Sequence, residues 1–298
     1  MSIAATGVRP DVLPKATTRE KLRERSFLSA LLACLLLSIV MLGTLFFDVI
    51  RDGAPAVSLR LFTNFPSIDP AMAGLQSALF GTLAIMAVCA LFIIPVGVAS
   101  AVYLEEFADR DRWFNRFIEV NIQNLAAVPS IVYGILGLAF LVRGPLSLDR
   151  VVLAGGLTLG LLVLPVVIIA GREAIRAVPS SIREGSMALG ATRWQTIWKQ
   201  VLPASIPGTA TGVILALSRA IGETAPLILV ATATFVAFNP TGPFSPFTAL
   251  PLQILAWIRD PQEEFRALAA AAILVLLALL LIMNSAAIWL RNRYEQKW

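Results

Sequence analysis

The segment "GREAIRAVPSSIREGSMALGATRWQTIWKQVLPASIPG" (residues 171–208) joins two long apolar runs, yet is itself polar and full of helix signals. Ser181 and Glu184 have the spacing of a capping box, in which hydroxyl and carboxylate satisfy the free N–H groups at a helix start. Thr192 and Gln195 repeat the pattern, and Gly190 lies between them. A glycine there suits the left-handed conformation that ends helices. The spacing predicts two short helices joined at Gly190. On the first, Ile182, Gly185, Ser186 and Leu189 share a face, and the small pair permits close approach of another backbone. On the second, Trp194, Ile197, Trp198 and Val201 form an apolar stripe. Such a stripe either lies on a membrane surface or docks into a partner's groove. Gly185 and Ser186 bury little in lipid, which favours docking.

The flanking runs belong to a chain that is 57% hydrophobic and 14% charged, with a mean hydropathy of +0.79. Soluble domains carry about 25% charged residues, so this composition predicts an all-α membrane protein. Runs of about 20 apolar residues cross a bilayer as helices. Six are visible, at 27–50, 75–104, 122–142, 151–171, 207–236 and 267–290. The first is too long for a cleavable signal, and no small-residue cleavage site follows it.

The chain has no histidine, which excludes zinc proteases of the HExxH type, Ser–His intramembrane proteases and His-based redox sites. Cys34 and Cys89 both fall in apolar runs and read as inert core thiols rather than a disulfide or metal site. No GxxxxGK[ST] stretch occurs, so any ATP is bound by another chain.

Lysine and arginine placement sets the orientation. Six lie in the N-terminal tail, three between the second and third runs, five between the fourth and fifth and three in the C-terminal tail. Six face the other side, and Arg219 alone lies within a run. Both termini are therefore expected in the cytoplasm. The net charge of +5 reflects topology and anionic lipid headgroups, not nucleic acid.

Arg219 belongs to "SRAIGETAPLILV" (218–230). Charge at bilayer depth costs about 2.5–3.5 kcal/mol for an arginine even on the lenient insertion scale. On a continuous helix Arg219, Gly222, Glu223 and Pro226 share one face, with Thr224 beside them. Gly222 removes bulk between the charges, and Pro226 leaves a carbonyl near Gly222 without its partner, which favours a kink. Arg219 and Glu223 either pair with each other to hold helices together or line a polar pathway. In the second reading the guanidinium fork matches an oxyanion.

Asn121, Gln123, Asn124, Ser130 and Tyr133 read as interhelical hydrogen-bonding groups, and Asp48 as interfacial. The long outer segment 237–266 is rich in proline and aromatics, and its "LPLQILAWI" reads as a short helix on the bundle mouth.

The polar segment resembles the EAA motif of ABC importer permeases: Glu184, Gly185 and Ser186, then Gly190 after three intervening residues, then Leu202-Pro203 in register. Gly185 and Ser186 stand where the motif has alanines, and Gln200 where it has isoleucine. "AVPSIVYGILGL", "SRAIGETAPLILV", "TALPLQI" and the terminal "NRYEQKW" are similar to PstA-type permeases of phosphate importers, over about residues 75–298. The sister PstC type is similar around "RAIGET", but "APL" and "TALPLQI" favour PstA.

The resemblance implies a type I ABC importer permease fold (MetI-like) with six transmembrane helices, no catalysis of its own and a location in the bacterial inner membrane. It divides the chain into a cytoplasmic tail (1–26), a first span with external loop (27–74), a permease core (75–290) containing the coupling loop (about 172–206), and a C-terminal tail (291–298). It implies a homologous PstC-like permease as partner, two cytoplasmic ATPase subunits that bind ATP, and an external phosphate-binding protein that touches the outer segment. This chain would bind no cofactor. Glu184, Gly185, Ser186, Gly190, Trp194, Leu202 and Pro203 would couple to the ATPases, and Arg219, Gly222, Glu223 and Thr224 would line the pathway. Rival readings are a permease for sulfate, molybdate or phosphonate, or a secondary anion transporter. The latter usually shows internal repeats, and none is evident.

Overall fold

Proline punctuation and small-residue spacing decide how these apolar runs become helices. The computed structural model describes residues 18–109, 111–231 and 235–294. The outermost parts of both predicted tails, including the end of "NRYEQKW", lie outside the described residues.

The chain divides into two units, residues 1–51 and 52–298. The first contains nearly all of α1 (Thr18–Gly53), a 36-residue helix with a lipid-suited surface that includes Leu31, Leu35, Leu42 and Phe46. Cys34 lies exposed on it rather than in a core, whereas Cys89 is buried.

In the second unit a short α2 (Leu59–Thr63) precedes α3 (Gln76–Val102), which ends in a wide π-type turn, Tyr103–Phe107. Next come α4 (Trp113–Ala126) and α5 (Ser130–Leu136), the latter continued by a second wide turn, Gly137–Val142. Then follow α6 (Val152–Arg176), α7 (Ser180–Ala188), α8 (Arg193–Thr196) and α9 (Leu202–Gly222). The unit closes with α10 (Ala225–Val230), α11 (Leu250–Ile258) and α12 (Glu264–Tyr294). Among the described residues five helices are long and apolar enough to span a bilayer, or six if the bent pair α4–α5 is one span.

Two predicted spans need correction. The run 122–142 is not one straight helix, because α4 and α5 meet at a bend of 108°. Pro129 forces Val128 away from helical geometry and leaves the carbonyls at the end of α4 without helical donors. The Tyr133 hydroxyl donates to one of them, Leu125 O, at 2.8 Å. The run 207–236 is also displaced. A continuous helix from Arg193 to Gly222 crosses instead, followed by a break and the separate α10.

The core is built on α3, α6 and α9, and small residues set their spacing. Gly156 and Gly160 face Val88 and Phe92 of α3, where a Cβ would come within 2.5 and 2.6 Å of side-chain carbons. Gly208 and Gly212 of α9 face Ala174 and Ala170 of α6 in the same way, at 2.7 and 2.3 Å. Both pairs have the GxxxG spacing that brings membrane helices close. Gly212→Leu should therefore lower the thermal midpoint of the solubilised protein, at a cost of about 1–3 kcal/mol. Gly242→Ala, where an added Cβ meets nothing within 4 Å, should leave the midpoint unchanged.

The outer segment is part of the core rather than a loose loop. Phe247 is fully buried against Gly155, and residues 243–246 run beside the start of α6. There Val152 N donates to Ser245 O at 3.0 Å and Leu153 N to Pro243 O at 2.8 Å, satisfying N–H groups that a helix start leaves open. On α3, Ser77 Oγ donates to Val236 O at 2.8 Å and Thr82 Oγ1 accepts from Leu250 N at 2.9 Å. The predicted "LPLQILAWI" helix is α11, which buries Leu250, Pro251, Ile254 and Trp257.

Candidate substrate pathway and coupling surface

The break after α9 brings the predicted pathway residues together, although not on one helical face. Pro226 lacks an N–H, and its ring would collide with the carbonyl of Gly222, four residues earlier. The helix ends at Gly222, Glu223 is extended (φ −77°, ψ 112°), and Thr224 stands at the start of α10 without a side-chain cap. This corrects the expectation of a continuous helix carrying Arg219, Gly222, Glu223 and Pro226 on one face. Pro226 turns inward and packs on α5, where a Cβ on Gly134 would lie 2.7 Å from its Cα. Arg219, Gly222, Glu223 and Thr224 remain clustered at the break.

Arg219 Nε donates to Glu223 Oε1 at 3.3 Å, with the two side chains 44% and 19% exposed. An ion pair this open contributes only about 0–1 kcal/mol. Among the described residues, Nη1 and Nη2 of Arg219 have no protein partner, so the forked edge of the guanidinium is open. As the basic residue in the last turn of α9, Arg219 is also favoured by the helix dipole. Deeper between α9 and α12, Ser218 Oγ and Asn284 Oδ1 are 2.5 Å apart, an interhelical contact that the sequence reading did not single out.

The polar segment between α6 and α9 forms the two predicted helices. Gly190 has φ +88° and ends the first. Thr192 caps the second with a complete capping box to Gln195. The first capping box is not formed: α7 starts after Pro179 with no side-chain cap, and Ser181 and Glu184 are exposed on the helix. Proline at the cap leaves Ser181 inside the first turn, where its hydroxyl no longer faces the free N–H groups.

Gly185 and Leu189 are exposed with Glu184, whereas Ser186 Oγ lies 2.9 Å from Thr196 Oγ1 and ties α7 to α8. The apolar stripe divides. Ile197 and Val201 are buried, while Trp194 and Trp198 are 58% and 61% exposed and stack at 5.6 Å. Phe107 supports Trp194 at 6.3 Å. Leu202 and Pro203 do not end the second helix. Pro203 has no N–H to continue the ladder, so the chain widens into a π-type turn, Ile197–Val201, and runs on as α9. Both residues line an apolar groove of about 640 Å³ with Ile94, Trp198, Ile206 and Arg291.

Beside this surface lies a charge network that sequence reasoning missed. Glu106, at the end of α3, accepts from Arg183 Nε at 3.0 Å and Nη2 at 2.8 Å. Arg183 also donates to Val178 O at 2.6 Å and Ile175 O at 2.9 Å, and Arg193 donates to the main-chain oxygen of Glu106. Glu105 takes Arg176 through two nitrogens at 3.0 Å and lies 3.5 Å from Arg172, which pairs with Glu119 of α4 at 2.9 Å. The available signal was two adjacent glutamates on the side where arginines gather.

A core of α3, α6 and α9, with a glycine-jointed helix pair between α6 and α9, defines a type I ABC importer permease. A family described as binding-protein-dependent transport system inner membrane component matches residues 93–296. The chain belongs to that family, and its relatives include PstA-type permeases. Phosphate transport system permease protein PstA 1 of Mycobacterium tuberculosis (strain H37Rv) is 33% identical over 303 residues, covering 98% of this chain and 95% of that protein. The likeness thus extends through the first span, further than residues 75–298.

Two solved structures share the fold. One is a bacterial alginate ABC transporter in complex with an alginate pentasaccharide-bound periplasmic protein (TM-score 0.70, 16% identity, 92% of this chain and 96% of that chain). The other is the MetNI methionine ABC transporter in inward-facing conformations (TM-score 0.63, 17% identity, 77% and 100%).

Proposed function

We propose that the chain is one of two permease subunits of an ATP-driven phosphate importer, with Arg219 as a transient phosphate contact. The observation that carries this reading is the open guanidinium edge at a helix break within the spanning region. A planar fork suits a tetrahedral oxyanion, and the weak pairing with Glu223 lets the anion compete for it. The PstA relatives support phosphate as the substrate. A homologous PstC-like subunit completes the pathway, and an external phosphate-binding protein delivers to it. Two ATPase subunits bind the ATP and dock on Glu184, Gly185, Ser186, Gly190 and Trp194, with Leu202 and Pro203 carrying the movement into α9. Both termini face the cytoplasm in this arrangement, and this chain holds no cofactor.

Glu223 pairs with Arg219 when the pathway is empty and accepts a hydrogen bond from protonated phosphate when it is occupied. Sulfate carries no such proton and is repelled. Glu223→Gln, measured in a background that does not require the binding protein, should narrow the phosphate-over-sulfate preference by about tenfold. An unchanged preference would remove this role from Glu223. The reading as a whole is tested by ATP-dependent phosphate uptake into vesicles holding the assembled complex, and uptake without ATP would defeat it.

A further inference from the structure

We propose that Glu106 is a positioning residue that passes movement of α7 to α3, and through α3 to the outer mouth. The inference rests on the coupling role proposed above for α7. By chain connection alone, displacement of α7 reaches α6 through residues 177–179. Glu106 adds a second route, because its carboxylate holds Arg183 of α7 through two nitrogens and its main-chain oxygen accepts from Arg193 of α8. Both coupling helices are therefore tied to one residue at the end of α3.

Arg183 in turn spans the joint, since its remaining donors engage Ile175 O and Val178 O at the end of α6. Apolar contact closes the same corner: Ile182 of α7 packs with Ala101, Ile175, Val178 and Val201. The Glu106 and Arg183 side chains are only 9% and 22% exposed. In such surroundings a charge is held firmly by its partner, and removing one partner is strongly felt.

The opposite end of α3 is equally committed. Ser77 and Thr82 bond to Val236 O and Leu250 N of the outer segment. Between the two ends α3 lies against Gly156 and Gly160 of α6, so it shifts together with its neighbour rather than bending away. A helix fixed by polar groups to the coupling pair below and the mouth above is a rigid link between them. Glu105 has a different task, because among the described residues it engages Arg172 and Arg176 of α6.

The test uses the complete complex in proteoliposomes, reading phosphate transported per ATP hydrolysed, with ATPase co-purification as the check on assembly. Glu106→Gln leaves the main-chain contact with Arg193 in place and releases α7 only. It should keep the ATPases bound and hydrolysing while the ratio falls about fivefold. Arg183→Gln also loses the bonds to Ile175 O and Val178 O and should lower the ratio at least as far, and the double variant should be no worse than Arg183→Gln alone, because Glu106 then has no further contact with α7 to lose. Arg183→Lys keeps one cation facing Glu106 and should show a smaller fall.

A wild-type ratio in Arg183→Lys and in whichever of the other variants assembles overturns the link. So does an equal loss of hydrolysis and transport, which marks simple loss of the complex. Failure of any ATPase to co-purify with the wild-type chain overturns the coupling reading, and the link with it.

Discussion

Arg219→Ala should lower ATP-dependent phosphate uptake by about two orders of magnitude. A hydrogen bond to a charged group contributes about 1.5–3 kcal/mol, and the substitution removes the whole donor fork. It also leaves the Glu223 carboxylate, 19% exposed at the break, as an uncompensated negative charge facing an anionic substrate. Arg219→Lys keeps the positive charge but replaces a planar fork by a single ammonium, and should fall between the two, about tenfold below wild type.

The decisive comparison is the double variant Arg219→Ala with Glu223→Ala. If the two side chains only hold each other, removing both restores uptake, because the surviving partner is no longer stranded. If Arg219 meets the substrate, the double variant recovers only the share lost to repulsion by Glu223 and stays at least about tenfold below wild type. Uptake of labelled phosphate by proteoliposomes distinguishes these outcomes, and wild-type uptake in Arg219→Ala would end the pathway assignment.

The second large effect belongs to the coupling surface. Trp194→Ala should weaken binding of the ATPase subunits by about 30-fold, the factor expected from losing a tryptophan hot spot of about 2 kcal/mol. Trp194 and Trp198 form a stacked pair on a capped helix, and Phe107 braces the pair from the end of α3. Such a rigid apolar projection loses little side-chain entropy on docking. Titration of the ATPase against permease in nanodiscs measures the change. Unchanged affinity would instead place the two rings on the lipid surface, the alternative open to an exposed aromatic stripe.

Much of this was legible in local pattern. Long apolar runs, the absence of histidine and the distribution of arginines describe a membrane chain without tertiary information, because bilayer thickness and interfacial charge act on one segment at a time. Gly190 and the Thr192–Gln195 box were readable for the same reason: a left-handed residue and a helix cap are decided within a few neighbours. The Ser181–Glu184 box was a matching pattern that Pro179 displaced. The third and fifth spans were misjudged because hydropathy does not register direction. Pro129 turned an apolar run through 108°, and Pro226 ended a helix that composition would have continued.

The amino-acid sequence by itself determined the membrane class, the glycine-jointed helix pair and the identity of the charged pair. Only the tertiary structure decided that Glu106 holds both α7 and α8, that Phe247 closes against Gly155, and that the fork of Arg219 is open at a break. Spans and caps are set by interactions between near neighbours in the chain. The partners of Glu106 lie 77 and 87 residues away, and their meeting depends on how closely α3, α6 and α9 pack. Gly156, Gly160, Gly208 and Gly212 set that distance through the side chains they lack.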